Sequence, residues 1–210
     1  TLLDIIPENA TNRSIVAETA IQKLLKAEPA AFMHKNNARL ITPGNTEDHL
    51  QWLADADWVI EAVIEHPQIK KSLYKELDSV CRKDCLISSN TSTLPLTLLV
   101  KDMPDRFKER FMITHFFNPP RYMRLLELVS GQQTRPELVA AISRFADIKL
   151  GKDCISCKDT PGFIGNRIGI YWLQCGLLEA IELGLTVEQA DAVMSAFGIP
   201  KTGIFGLIDL

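Results

Sequence analysis

The chain has 210 residues, of which 46% are hydrophobic and 23% charged, and its formal net charge is −3. These values are typical of ordinary soluble globular proteins, and the near balance of charge indicates neither nucleic acid nor an anionic membrane as a partner. No apolar run reaches the roughly 18 residues that span a bilayer. Residues 1–20 also lack the basic start and apolar core of a signal peptide, so we expect a cytoplasmic protein.

Alternating strand and helix patterns predict an α/β fold for residues 1–159. Apolar runs predict strands at residues 1–6, 58–63, 85–88, 110–117 and 123–130. Helical spacing of apolar residues covers residues 12–29, 66–81 and 136–150. Between them, residues 36–51 are predicted to hold a short strand and a turn at Pro43-Gly44-Asn45. Because the strands are almost continuously apolar, we expect a sheet that helices cover on both faces.

The pattern becomes purely helical after residue 159, and we place a domain boundary there, between residues 1–159 and 160–210. Asp159 and Pro161 are typical of a helix start. The helix is predicted to run to Leu183, and a second helix is predicted from Thr186.

Four glycines fall on one face of the first of these helices, namely Gly162, Gly165, Gly169 and Gly176. Glycine costs about 1 kcal/mol relative to alanine inside a helix, so a close backbone approach is the expected compensation. That approach is either a tight helix crossing at a subunit interface or packing within the subunit, and the sequence leaves both open.

Five cysteines in a chain without an export signal predict no disulfide framework. Cys154 and Cys157 have C-x-x-C spacing, which raises a redox or zinc interpretation. Zinc needs a second ligand pair, and Cys81 and Cys85 have neither the spacing nor a flanking histidine. We therefore predict that Cys154 and Cys157 are small residues of a short strand.

Asp4 is a candidate ligand for the ribose of a bound dinucleotide. Such a site usually shows G-x-G-x-x-G after the first strand and an acidic ribose ligand about 20 residues later. The chain contains no such motif, and none of its 11 glycines precedes Gly44. Asp4 nevertheless ends an apolar strand, where the ribose carboxylate would stand, and the glycine loop would then precede Thr1. The alternative is a strand-end residue that opens a turn.

His115 and Glu127 form a candidate proton-transfer pair. His115 stands at the end of a predicted strand, the end where ligands bind in open α/β sheets, and histidine exchanges protons near neutral pH. Glu127 interrupts an apolar strand twelve residues later, where a carboxylate needs a partner. The alternative is a satisfied core histidine and an unrelated edge-strand glutamate.

Short polar residues could act as donors near this pair. Asn90-Thr91-Ser92 follows another strand, and Asn166 lies early in the long helix, although each by itself is typical of a turn or cap. Glu61 and Glu65 flank a strand end. Lys70, taken alone, is interpreted as a solvated helix charge.

Together these residues resemble a known family, the L-3-hydroxyacyl-CoA dehydrogenases of fatty-acid β-oxidation. The matching segments, in chain order, are Trp58-Val-Ile-Glu-Ala-Val-Ile-Glu65, Ser89-Asn-Thr-Ser92, His115-Phe-Phe-Asn-Pro119, Glu127 and Asp159-Thr-Pro-Gly-Phe-Ile-Gly-Asn-Arg167. Their order and spacing match over nearly the whole chain. Residues 120–129 look closest to bacterial members, including long multidomain forms.

The resemblance implies a Rossmann-like NAD-binding domain followed by an all-helical C-terminal domain. It also implies an oxidoreductase that uses NAD to oxidise (S)-3-hydroxyacyl-CoA to 3-oxoacyl-CoA. His115 would take the hydroxyl proton while hydride leaves C3, and Glu127 would orient His115. Ser92 and Asn166 match positions that hold the substrate oxygens. The positions that match the cofactor site are Asp4 as the ribose carboxylate, Glu65, Lys70, Asn90, Ser92 and Asn118.

The departures from the family lie at the ends of the chain. The first strand and glycine-rich loop are missing before Thr1, and the helical domain stops part-way at Leu210. We therefore expect a truncated enzyme that binds NAD poorly although it keeps the catalytic pair. An alternative is a non-catalytic acyl-CoA-binding or assembly fragment, and a third is a related dehydrogenase of a non-CoA substrate such as a sugar acid. The family habit and the glycine stripe predict a homodimer through the helical domain.

Overall fold

The computed structural model describes residues 1–197 and 203–209. The chain divides into two compact units, Thr1–Thr160 and Pro161–Leu210. Residues 198–202 and 210, which fall within the predicted C-terminal region 160–210, lie outside the described residues.

The first unit alternates strands and helices. Its elements are β1 (Leu2–Asp4), α1 (Ile15–Lys26), β2 (Pro43–Asn45), β3 (Trp58–Glu61), α2 (Pro67–Val80), β4 (Leu86–Ser89), α3 (Leu96–Val100), α4 (Asp105–Lys108), β5 (Phe111–Phe116), β6 (Leu125–Ser130), α5 (Pro136–Leu150) and β7 (Asp153–Cys157). Two 3-10 turns, Lys35–Leu40 and Leu50–Leu53, flank β2. All five strands predicted from apolar runs are present.

Five strands form one sheet in the order β3-β4-β5-β6-β7. Strands β3, β4 and β5 are parallel, β6 is antiparallel to β5, and β7 is parallel to β6. The three parallel strands end at Glu61, Ser89 and Phe116. These three carboxyl ends therefore lie along one edge of the sheet, which we call the carboxyl edge.

Strands β1 and β2 form a separate parallel pair, with Leu3 opposite Gly44. The short strand predicted within residues 36–51 is present as β2, but the turn predicted at Pro43–Asn45 is wrong, because these residues form that strand. A Cβ atom on Gly44 would lie 2.8 Å from the side chains of both Leu3 and Trp52. Gly44 thus permits close packing in a strand. The Pro-Gly-Asn composition of β2 only resembles that of a turn.

Helices cover both faces of the five-stranded sheet, which confirms the predicted α/β architecture. On one face a buried cluster joins three strands to α5, and its members are Leu86, Met112, Leu126, Leu128, Ile142 and Ala146. On the other face the rings of Tyr74, Phe107 and Phe111 lie 5.0 to 5.6 Å apart. Burial on both faces explains why the sequences of β4 and β5 lack a polar-apolar alternation.

The prediction for Cys154 and Cys157 can be compared with this sheet. Cys154 and Cys157 both lie in β7 and carry free thiols, as predicted for small strand residues. Within residues 1–197 and 203–209, no group of three or more His, Cys, Asp or Glu side chains could hold a metal ion.

The described part of the second unit is helical, with α6 (Gly165–Glu182), α7 (Val187–Ala196) and α8 (Gly203–Ile208). The helix start predicted at Thr186 is confirmed, because the Thr186 hydroxyl and the Gln189 amide nitrogen form one half of a reciprocal capping box. No described helix is both long enough and apolar enough to cross a membrane.

The predicted start of the long helix is wrong by four residues. Gly162 and Phe163 have φ values of 74° and 46°, so the chain turns there and α6 begins only at Gly165. Asp159 is not the cap of α6. Its two carboxylate oxygens accept hydrogen bonds from the amides of Leu96 (2.6 Å) and Thr97 (2.9 Å), at the start of α3.

The glycine stripe divides into positions with different surroundings. Gly162 lies before α6, and a Cβ atom on Gly169 would meet nothing within 4 Å. A Cβ atom on Gly176 would clash with Cδ1 of Ile204 in α8. The close approach at Gly176 is therefore packing within the subunit, the alternative to a subunit interface.

Candidate active site

His115 and Glu127 face each other across the antiparallel strands β5 and β6. The register places the two residues directly opposite one another, so their side chains point to the same sheet face. Nδ1 of His115 lies 2.7 Å from Oε2 of Glu127. Only 7% of the histidine side chain and 1% of the glutamate side chain are exposed. The structure thus brings together the pair that the sequence predicted.

This geometry defines what the pair can do chemically. A carboxylate at one imidazole nitrogen fixes the tautomer and stabilises the imidazolium that proton uptake would create. Because Glu127 engages Nδ1, proton exchange with a ligand falls to Nε2 of His115. The Phe117 ring packs against the imidazole at a centroid distance of 4.5 Å.

The loop after β4 is joined to both neighbouring strands at the carboxyl edge. The amide of Asn90 donates to the carbonyl oxygen of Glu61 (2.7 Å). The side-chain oxygen of Asn90 accepts a hydrogen bond from the amide of Phe116 (3.0 Å), next to His115. Ser92 is half-buried in this loop, and its hydroxyl has no hydrogen-bond partner among the residues that the structure describes.

Glu61 is a residue of this region to which the sequence analysis assigned no role. It ends β3, and its side chain is completely buried beside Lys70. Its carboxylate accepts hydrogen bonds from Lys70 Nζ and the Val63 amide on Oε1, and from the hydroxyls of Tyr74 and Ser89 on Oε2, each at 2.7 Å. The signal that singled out Glu127, a carboxylate within an apolar strand, would also have found Glu61.

Lys70 is 1% exposed, so the interpretation as a solvated helix charge is wrong. Its ammonium lies 2.7 Å from Oε1 of Glu61 and 3.1 Å from Oε2 of Glu65. Burial is the largest influence on Glu65 and would raise the pKa of its carboxyl. Hydrogen bonds from Thr91, Lys70 and Thr93 and the charge of Lys70 together outweigh it, and the pKa of Glu65 lies below its ordinary value.

Tyr74 remains a hydrogen-bond donor to Glu61 over the whole ordinary pH range. Burial and the nearby charge of Glu61 raise the pKa of the Tyr74 hydroxyl far above its usual value. The hydroxyl therefore stays protonated, as the 2.7 Å contact with the Glu61 carboxylate requires.

The remaining predicted residues are less engaged by the protein. Asp4 ends β1, is half-buried, and accepts a hydrogen bond from the amide of Ile5 on Oδ1 (2.7 Å). Asn118 is exposed in the loop that follows β5. Asn166 is the second residue of α6, is half-buried, and belongs to the second unit. The roles of these residues in binding stay predictions.

Comparisons with known proteins identify the family. The profile of the 3-hydroxyacyl-CoA dehydrogenase NAD-binding domain matches residues 1–160. A probable 3-hydroxyacyl-CoA dehydrogenase from Deinococcus radiodurans is 40% identical over 210 residues, which are 100% of this chain and 61% of that protein. A putative fatty acid oxidation complex trifunctional enzyme from Rickettsia felis is 42% identical over 210 residues, which are 100% of this chain and 29% of that protein. The chain thus spans less than two thirds of either relative.

Solved structures agree with this assignment. The crystal structure of (S)-3-hydroxybutyryl-CoA dehydrogenase from Ralstonia eutropha has a TM-score of 0.76 and 29% sequence identity. The match covers 99% of this chain and 71% of that one. Both the resemblance to this family and the predicted Rossmann-like fold are confirmed. The chain therefore belongs to the 3-hydroxyacyl-CoA dehydrogenase family, and residues 1–160 are its NAD-binding domain.

Proposed function

We propose that the protein oxidises (S)-3-hydroxyacyl-CoA to 3-oxoacyl-CoA with NAD, as an enzyme of fatty-acid oxidation. The observation that carries the proposal is the buried contact of 2.7 Å between His115 and Glu127 at the carboxyl edge. The family to which the chain belongs supplies the substrate class and the cofactor.

In this proposal His115 accepts the proton of the substrate hydroxyl at Nε2. Glu127 holds the ring through Nδ1 and balances the positive charge that develops on it. The half-buried Ser92 hydroxyl holds the substrate oxygen, and such a donor stabilises the oxygen while its charge changes. The family resemblance gives the same role to the Asn166 amide.

The side chains near the carboxyl edge fit part of an NAD site. Among the residues that the structure describes, Asp4 accepts a side-chain hydrogen bond only on Oδ1, so Oδ2 can accept a hydrogen bond from a ribose hydroxyl. Asn90, Ser92, Asn118 and Glu65 would line the remainder, and the buried Lys70 would hold the Glu65 carboxylate in place. NAD, when bound, would take up the hydride from C3 of the substrate.

The test is reduction of acetoacetyl-CoA by NADH, followed at the nicotinamide absorbance band, in this chain and in a version extended upstream of Thr1. We expect turnover in the extended chain. The substitution His115→Ala should lower kcat by about 10²- to 10⁴-fold, the usual contribution of a general acid-base group. A matched control is His34→Ala, because His34 is exposed and caps only the turn Lys35–Leu40.

The same assay separates the alternative functions. An extended chain that binds acetoacetyl-CoA but does not oxidise NADH would support an acyl-CoA-binding or assembly fragment instead. Turnover of a sugar acid without any CoA thioester would support the third alternative. Equal kcat of the extended chain with and without His115→Ala would contradict the assigned role of His115.

We also propose a cytoplasmic homodimer assembled through the helical unit. The support for the dimer is the number of large apolar side chains that α6 and α7 leave exposed, including Ile168 (64%), Tyr171 (70%), Ile181 (66%) and Val193 (49%). Exposed apolar patches of this kind mark protein interaction sites.

A further inference from the structure

The buried carboxylate of Glu61 is saturated with hydrogen bonds. Four donors at 2.7 Å occupy its two oxygens, and they come from the segment after β3, from α2 and from β4. A carboxylate offers about four lone-pair positions, so these four donors use its whole capacity to accept hydrogen bonds. A buried group this fully satisfied holds its partners in one arrangement.

The contacts of Glu61 continue to the loop that carries Ser92. Ser89 donates its hydroxyl to Glu61 and accepts the amide of Thr91 at 3.3 Å. A second route passes through Lys70 to Glu65, 3.1 Å away, and the Glu65 carboxylate accepts the hydroxyl of Thr91.

Thr91 and Thr93 thus hold the loop on both sides of Ser92. Thr93 donates its hydroxyl to Glu65 (3.2 Å), and the Thr91 hydroxyl oxygen accepts the amide of Leu94 (3.0 Å). At the start of the loop, Asn90 contacts the backbone of both Glu61 and Phe116. The network therefore sets the position of the Ser92 backbone relative to the strand that carries His115.

We propose that Glu61 is a positioning residue of the dehydrogenase reaction: it touches no reactant, and it fixes the loop Asn90–Thr93 so that Ser92 holds the substrate oxygen beside His115. This inference rests on the proposed function. Its physical basis is that a displacement of about 1 Å at a reacting centre can lower a rate about 10²-fold.

The substitution Glu61→Gln tests this role. A glutamine keeps the size of the side chain, but one oxygen acceptor becomes an NH₂ donor that faces either Lys70 or the hydroxyls of Tyr74 and Ser89. We expect the amides of residues 90–94 to exchange with deuterium about tenfold faster. In the extended chain we expect kcat for acetoacetyl-CoA to fall about 10- to 100-fold, while KM changes much less.

Two further variants make the test specific. Ser89→Ala cuts the direct link between Glu61 and the loop, leaves the Lys70 ion pair intact, and should also accelerate exchange at residues 90–94. Glu76→Gln is the matched control, because Glu76 is exposed on the same helix as Lys70 and lies outside the network. It should leave both the exchange rates and kcat unchanged.

Three results would be decisive. Unchanged exchange at residues 90–94 in folded Glu61→Gln and Ser89→Ala would overturn the proposal. Equal acceleration of exchange in β6 and α5 would also overturn it, because Glu61 would then serve stability in general. The third result is faster exchange confined to residues 90–94 in the variants, together with no dehydrogenase activity in the extended chain without substitutions. It would refute the proposed function and still support Glu61 as the residue that positions the loop.

Discussion

At the scale of residues, the arrangement at the carboxyl edge depends on two carboxylates inside apolar strands. Glu127 lies opposite His115 in the strand register, and Glu61 lies among four donors at the end of β3. Burying an ionised carboxylate without partners is costly. Each glutamate is therefore tolerated only because neighbouring elements supply donors, and those donors are then fixed in position.

Glu127→Gln should leave the fold intact and lower kcat by about 10²-fold or more, because the neutral amide no longer stabilises a protonated His115. The measurement is NADH oxidation with acetoacetyl-CoA in the extended chain. Glu137→Gln, an exposed change in the first turn of α5, is the control and should have no effect. A Glu127→Gln variant with full kcat would show that the contact with His115 does not serve proton transfer.

At the scale of elements, the sequence predicted the existence and type of the helices and strands better than their boundaries. Apolar runs located β3 to β6, and Gly151 ends α5 with a φ of 65°, as the pattern Pro136 to Leu150 followed by glycine indicates. The start of α6 was mispredicted because Asp159 and Pro161 have the residue types of a helix start. The deciding fact is tertiary, since the Asp159 carboxylate is used by α3, which lies 63 positions earlier at Leu96.

Asp159→Ala should destabilise the first unit by about 1 to 2 kcal/mol, the usual cost of losing a helix cap. The change removes both hydrogen bonds to the amides at the start of α3. Asp159→Asn should cost less, because its amide keeps one acceptor oxygen. Urea unfolding of the three proteins measures the difference, and a loss for Asp159→Ala no larger than for Asp159→Asn would contradict the capping role.

At the scale of the whole molecule, ion pairs join elements that are distant in sequence. Asp78 on α2 binds Arg106 on α4 (2.6 Å) and Arg110 just before β5 (3.0 Å). Burial is the largest influence on Asp78 and would raise its pKa. The hydrogen bonds and the charges of the two arginines together outweigh it, so the pKa of Asp78 lies below its ordinary value. The pKa of Glu65 also lies below its ordinary value, and Thr91 and Lys70 are among the groups that lower it.

These two depressed pKa values predict acid sensitivity. The unfolded chain binds protons at the ordinary values of 4.5 for Glu65 and 3.8 for Asp78, and the folded chain binds them only at lower pH. The stabilisation is therefore complete above those ordinary values and is lost as the pH falls through and below them. Urea unfolding across the acid range should show this decline in the free energy of unfolding.

The substitution Asp78→Asn should make the decline shallower and lower the stability at neutral pH. Asp55→Asn is the control, because Asp55 is exposed and should leave the pH dependence unchanged. A pH dependence that is identical in Asp78→Asn and the unchanged chain would contradict the contribution of the Asp78 pairs.

The sequence by itself determined the alternation of strands and helices and indicated that His115 and Glu127 form a pair. Spacing and local burial preferences are encoded in neighbouring residues. Only the tertiary structure decided the partners of Lys70, the four donors around Glu61 and the helix that Asp159 caps. Those contacts depend on which elements meet, and that choice is made by packing the whole sheet between its helices. A charged residue shows in the sequence that it needs a partner, while the partner is found only in the folded chain.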